Sequence, residues 1–160
     1  MNEKTRKEAF IMNHAEKAAE LFVGGYNCAQ AVAVAFCDVT GLDEKIAAKM
    51  ASAFGGGVGG LREVCGAFSG AVMVLSNLYG YDDPQDDSGK KETYAHVQAL
   101  AEQFKERNNS IICRELMANM PVDPNPTPKA KEYYAKRPCA RMVMVAAELL
   151  EDFIAKHPPV

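Results

Sequence analysis

No Cys-x-x-Cys pair occurs in this chain, although it holds five cysteines. That gap argues against a thioredoxin-like exchange motif and against the paired-ligand knuckle of a zinc finger. The closely spaced cysteine runs of ferredoxins are missing too. No Ser-His-Asp order and no His-Glu-x-x-His pair is present, which leaves hydrolytic mechanisms without an anchor. No segment sustains the ~20 apolar residues that a membrane span requires. With a net charge of −3 and no basic block, the chain lacks the electrostatic footprint of a nucleic-acid or anionic-membrane binder.

What is present is the make-up of one globular domain, expected over residues 1–160. Apolar residues make up 48% and charged residues 24%, with abundant Ala and Met and few strand-favouring aromatics. The first residues, MNEKTRKEAF, are polar and carry no apolar signal stretch, so the expected compartment is the cytoplasm. In a reducing compartment cysteines serve more often as metal ligands or redox groups than as structural bridges, and an odd count agrees.

Periodicity predicts an all-α fold, a compact bundle of about five to seven helices with a glycine-rich loop before a central buried helix. A first helix spans Thr5 to Val23, with Phe10, His14, Ala18, Leu21 and Phe22 near one face, and stops at Gly24-Gly25. Asn27 caps CAQAVAVAFCDV, which ends before Gly41, and Asp43 caps EKIAAKMASAF. The loop holding Gly55, Gly56, Gly57, Gly59 and Gly60 leads into the apolar helix REVCGAFSGAVMVLSNLYG. Gly66 and Gly70, four apart, give that helix a smooth face that another backbone can approach, within the chain or across a homodimer. The polar turn DDPQDDSG precedes a helix carrying Tyr94, Val97, Leu100, Ala101 and Phe104 at helical spacing. Ser110 caps a short helix with Cys113, the prolines of NMPVDPNPTP forbid regular structure, and Pro138 opens the last helix.

Four cysteines, Cys28, Cys65, Cys113 and Cys139, thereby fall where helices begin, where N–H donors and the positive helix end favour a thiolate. Arg62 near Cys65, Arg114 beside Cys113, and Arg137 and Arg141 around Cys139 add positive charge, which Glu63 and Glu115 oppose. Cys37 follows Cys28 on the same expected helix but on its opposite side, and reads as a packing residue. Gly56, Gly57, Gly59, Gly60 and Gly66 read as a cofactor cradle, a nest presenting N–H groups near Cys65, with a plain flexible connection as the alternative; the missing Gly-Lys-Ser/Thr and the lack of a preceding strand argue against a nucleotide loop. His14, His96 and His157 are too scattered to form a ligand set.

Asn27-Cys28-Ala29-Gln30, the run Val64-Cys65-Gly66-Ala67-Phe68-Ser69-Gly70, and the lone Cys113 and Cys139 resemble the C-GCAxxG-C-C family, from about Glu16 to Phe153. The resemblance implies a small helical protein with four functional cysteines, called redox-active on the strength of them. The cysteine order is also similar to the iron-centre domain of split-Soret cytochromes, although no Cys-x-x-Cys-His is present for covalent haem. The expected activity is electron transfer to an unidentified redox partner by an iron–sulfur cluster, [2Fe–2S] or similar, with Cys28, Cys65, Cys113 and Cys139 as ligands. Two alternatives stay open. One is a cluster-free thiol protein in which Cys65, with Cys28 as partner, attacks a disulfide or oxidant; the other is a structural zinc module.

Overall fold

A computed structural model of the chain describes residues 13–118 and 138–159. The described residues form eight α-helices and no strand, so the fold is all-α as the periodicity implies. The helices are α1 (His14–Val23), α2 (Cys28–Ala35), α3 (Cys37–Thr40), α4 (Glu44–Ala51), α5 (Gly66–Tyr79), α6 (Asp87–Asn108), α7 (Cys113–Leu116) and α8 (Cys139–Lys156). None of them is long and apolar enough to cross a membrane. Phe10 and the rest of the expected first helix before Asn13, the proline stretch from Asn119 onward, and Arg137 lie outside the described residues.

Short polar side chains set the helix starts. Asn13, Asn27, Asp43 and Asp86 each accept a hydrogen bond from an N–H of the first turn they precede, contributions of about 1 kcal/mol apiece. At Asn27 the cap is reciprocal: its side chain accepts from the Gln30 N–H at 2.9 Å, while the Gln30 side chain accepts from the Asn27 N–H at 3.1 Å. That closed box fixes Cys28 as the first helical residue.

The small residues of α2 place it at the centre of the bundle, against α1, α4, α5 and α8. Ala29, Ala31, Val32, Ala33, Val34 and Ala35 are all buried. Gly70 makes the approach of α5 possible, because a Cβ there would stand 2.6 Å from the Ala29 carbonyl oxygen. The Gly66/Gly70 face is therefore covered from within the chain. Around this pair, Phe36, Phe104, Leu75, Leu100 and Leu150 are completely buried, each stabilising the fold by about 1.5–3 kcal/mol relative to exposure.

Several boundaries depart from the sequence expectation; the helix expected over EKIAAKMASAF, for one, ends at Ala51 and gives way to a 3-10 turn over Ser52–Phe54. The helix expected to run from Cys28 past Cys37 breaks at Phe36, whose backbone leaves helical geometry at φ −99°, ψ 12°. Its ring is buried and stacks on His14 with centroids 4.3 Å apart, so burial of an aromatic outweighs continuation of the helix. The helix expected from Arg62 starts only at Gly66, because residues before it pair with another segment. α6 starts at Asp87, ahead of the expected Lys90, and Tyr94 on it is 52% exposed, whereas Leu100 and Phe104 are buried.

Candidate functional site

The glycine loop is a left-handed turn. Gly56, Gly57, Val58, Gly59 and Gly60 have φ values of 64°, 69°, 66°, 58° and 80°. Left-handed geometry costs an ordinary residue roughly 1–2 kcal/mol and glycine almost nothing, which is the reason for four glycines here. Hydrogen bonds from Gly59 N–H to the Ala53 carbonyl (2.7 Å) and from Glu63 N–H to the Gly57 carbonyl (2.9 Å) close the turn.

The chain leaving this loop then pairs with the segment after α6. Val64 and Ile112 form an antiparallel bridge. Cys65 N–H donates to the Ile111 carbonyl at 2.7 Å, and Cys113 N–H donates to the Glu63 carbonyl at 2.6 Å. Arg114 reinforces the pairing through an ion pair with Glu63 at 3.1 Å, whose carboxyl it holds below its ordinary range. This clip of extended chain sets Cys65 opposite Ile111 and Cys113 opposite Glu63, one on each side of the Val64–Ile112 bridge, a link that no helical periodicity encodes.

All four expected cysteines take up helix-start positions. Cys28, Cys113 and Cys139 are first residues of α2, α7 and α8, and Cys65 is the residue ahead of α5. Ser110 is not the cap but lies two residues ahead of it: its hydroxyl oxygen accepts from the Ile112 N–H at 2.9 Å and its hydroxyl donates to Glu115, leaving Ile112 at the cap. Pro138 stands at the cap of α8, just outside the first turn. Electrostatics connect the sulfurs in one series, Cys28 with Cys113, Cys65 with Cys28, and Cys65 with Cys139. No disulfide joins Cys28, Cys37, Cys65 and Cys113.

Burial changes the acid–base character expected of these thiols. It pushes both Cys28 and Cys65 up from an ordinary value of 9.0, and the neighbouring cysteines push in the same direction. Backbone N–H groups oppose this only in part: those of Gly56 and Ala29 at Cys28, and those of Phe68 and Ala67 at Cys65. The helix ends are thus real but weaker than desolvation, and Cys65 is not the acidic thiol that its position suggests. It is 6% exposed. Cys28 retains some exposed surface, although protein surrounds its sulfur.

The five glycines of the expected cradle divide. Gly56 brings its N–H to Cys28. Gly57 packs against Cys113, where a Cβ would come within 2.6 Å of that residue's Cβ. Gly66 lies directly under the Cys28 sulfur. Gly59 and Gly60 are exposed, and a Cβ at either would meet no cysteine within 4 Å. The loop therefore serves Cys28 and Cys113, while the N–H groups at Cys65 come from its own helix. Arg62, itself at φ 60°, turns its guanidinium to Cys113, with Nη1 3.9 Å from the sulfur, and not to Cys65. Arg141 is engaged with the Arg107 carbonyl at 3.2 Å.

Cys37 is set apart, for a different reason than the expected opposite helix face. It too begins a helical segment, α3, but packs with Val34 and Ala47 and directs its thiol to the Ala33 carbonyl at 3.7 Å. Position at a helix start consequently does not by itself separate working from packing cysteines. His14 bridges Asp38 (3.0 Å) and Glu151 (2.7 Å), and His96 packs against Tyr79 and Phe153. Neither is near the sulfurs as a ligand: among the described residues no group of three or more His, Cys, Asp or Glu side chains is placed to hold a metal ion.

One residue escaped the sequence reading. Met117 is 4% exposed and its Sδ lies 3.6 Å from Cys139 Sγ. Its spacing of four residues from Cys113 is the only signal that marks it in the sequence. Beside the site, Phe54, Val58, Val64 and Phe68 border a mainly apolar cavity of about 680 Å³ whose lining contains no cysteine, so the sulfurs do not open into it.

A family model described as "Putative redox-active protein (C_GCAxxG_C_C)" matches residues 26–153, a stretch containing the left-handed loop and all of these cysteines. No curated protein and no solved structure matches the chain.

Proposed function

The chain belongs to the C_GCAxxG_C_C redox-active family, and on that footing we propose that Cys28 and Cys65 are its working dithiol. The observation that carries this reading is the seat of the Cys28 sulfur on Gly66, the residue next to Cys65, together with the electrostatic link between the two thiols. Cys28, whose residue keeps exposed surface although its sulfur is enclosed, meets the partner; Cys65, buried as a whole residue, resolves. The Cys28 sulfur attacks one sulfur of a partner disulfide and expels the other as a thiol. Cys65 then attacks the mixed disulfide, closing a Cys28–Cys65 bond and releasing the second partner thiol. Two electrons and two protons pass from the protein to the partner. Because burial keeps both thiols neutral at rest, negative charge develops only during attack, where the Gly56 and Ala29 N–H groups already stand to receive it.

A second reading, an iron–sulfur cluster of the [2Fe–2S] type, is favoured by the electrostatic series through all four cysteines. Their thiolates have the right chemistry, but the arrangement does not fit a four-ligand centre, since no three such donors are grouped for metal binding among the described residues. The same holds for structural zinc. Under this reading the outer sulfurs must close in on the central pair.

Anaerobic purification followed by a visible spectrum, iron and zinc content, and thiol counting separates the readings. For the dithiol, mild oxidation lowers the count of five thiols by one pair, and peptide mapping assigns the bond to Cys28 and Cys65. Stoichiometric iron with visible charge-transfer absorption, or stoichiometric zinc, would replace this reading with the corresponding metal site.

A further inference from the structure

We propose that the apolar cavity between α4 and α5 binds an uncharged amphiphile, a medium-length hydrocarbon chain with a hydroxyl, ester or amide head. Its volume is about 680 Å³, within the range of roughly 300–1,000 Å³ typical of small-molecule sites. The lining on α5 runs from Phe68 to Asn77, ~14 Å of helix axis, so the ligand is elongated. Buried residues, Ala33, Phe68 and Val74, form part of the lining. That depth lies below the reach of a flat protein surface and suits a thin chain.

The two ends of the cavity differ in polarity. Cys28 meets α5 at Gly66, Val32 meets it at Gly70, and Ala33 packs with Met73, so α2 and α5 run side by side in the same direction. α3 follows α2 and packs against α5, which brings Thr40 toward the end where Ser76 and Asn77 line the cavity. Hydroxyl and amide groups are therefore gathered there. At the other end, beside the left-handed loop, the lining is Phe54, Val58 and Val64, all apolar. The hydrocarbon chain points to the loop and the head to Thr40, Ser76 and Asn77.

Charge fixes the kind of head. None of the described lining residues is Asp, Glu, Lys or Arg, and at the polar end the lining residue Leu42 is followed by Asp43 and Glu44. A carboxylate head would find no cation and would lie near like charge. The rim agrees with an apolar occupant: Met50, which lines the cavity, is 60% exposed, and Ile46 four residues earlier on α4 is 54% exposed. Residues four apart share a helix face, and exposed apolar surface beside a cavity marks a binding site. Since no described lining residue is a cysteine, the site stands or falls separately from the exchange chemistry proposed above.

The test is isothermal titration calorimetry of the reduced full-length chain with monodecanoylglycerol and with decanoate, each below its micellar concentration. The wild type should bind one monodecanoylglycerol per chain with a negative heat-capacity change, and decanoate about tenfold more weakly. Three variants at exposed positions leave the core intact. Met50→Glu should weaken the neutral ligand, Leu61→Glu, outside the lining, should leave it unchanged, and Asn77→Lys should strengthen decanoate, a gain that misfolding cannot imitate. Absence of binding, equal affinity for the two ligands, or no effect of Met50→Glu would overturn the proposal. So would a wild-type dimer in sedimentation that Met50→Glu dissociates while neither ligand gives heat, which would assign this face to a second copy of the chain.

Discussion

The sulfur of Cys28 rests on the Cα face of Gly66, so that a side chain at position 66 would collide with it and come within 2.9 Å of the Phe54 carbonyl oxygen. The glycine is thus a packing requirement of the thiol on another helix. Gly66→Ala should destabilise the fold by about 1–3 kcal/mol, the usual cost of overpacking, and should also change the rate at which Cys28 reacts with a small alkylating agent. Urea unfolding and timed alkylation read the two effects. Unaltered stability and alkylation would mean that the Cys28 sulfur does not occupy this place.

Two loop glycines make a matched pair. Gly57 has φ 69° and no room, with the Cys113 Cβ at 2.6 Å and the Glu63 nitrogen at 2.7 Å from any added Cβ; Gly60 has φ 80° and nothing within 4 Å. Gly60→Ala should therefore cost only the left-handed backbone penalty, about 1–2 kcal/mol. Gly57→Ala adds a clash with backbone to that penalty and should cost visibly more. Equal urea midpoints for the two variants would refute the placement of Cys113 against the loop.

Alkaline stability reports the buried thiol. The folded-state pKa of Cys65 is raised above the ordinary 9.0 by burial first and by Cys28 second. Below pH ~9 both folded and unfolded chains keep the proton and the group contributes no slope. As pH climbs past that point the unfolded chain ionises first, so stability falls by up to about 1.4 kcal/mol per pH unit for this group. The decline ends once the folded thiol ionises too. Cys65→Ala should flatten the fall in stability between about pH 9 and 11, measured by urea unfolding under reductant. A slope as steep as that of the wild type would show that Cys65 ionises freely in the folded protein.

Replacing Cys37 should leave the redox readouts untouched. Its thiol faces the Ala33 carbonyl among Val34 and Ala47, away from the other sulfurs. Cys37→Ser is expected to reduce stability by about 1 kcal/mol and to leave the oxidation-dependent loss of one thiol pair as it is. Loss of that signal would reverse the division of the cysteines.

His14 ties three elements together, its ring nitrogens hydrogen-bonded to the Asp38 and Glu151 carboxylates while the ring lies flat on Phe36. With a side chain only 16% exposed, it should contribute about 2 kcal/mol through hydrogen bonds to charged groups. His14→Ala is expected to lower the urea midpoint accordingly. Thiol oxidation at Cys28 and Cys65 should survive, and its loss would tie this clasp to the redox site.

The sequence was most informative where interactions are local. Asn27 with Gln30, and Asp43 ahead of Glu44, announce helix starts because capping partners lie within a turn of each other. The same locality marked Cys28, Cys65, Cys113 and Cys139 at helix starts. It could not foresee the break at Phe36, which follows from His14 stacking on that ring across the bundle. Nor could it assign the cradle glycines one by one, since Gly57 and Gly66 differ from Gly60 only in what lies opposite them.

What the chain determined by itself is the all-α class, the caps and the left-handed loop, because backbone preference and the 3.6-residue period act over a few neighbours. Tertiary structure decided the chemistry of the sulfurs. The pairing of Val64 with Ile112 brings distant segments together, the burial of Cys65 outweighs the helix end that would have acidified it, and Met117 meets Cys139 across 22 residues of sequence. Each of these is a long-range effect of desolvation or contact, and such effects leave no periodic mark in the order of the residues.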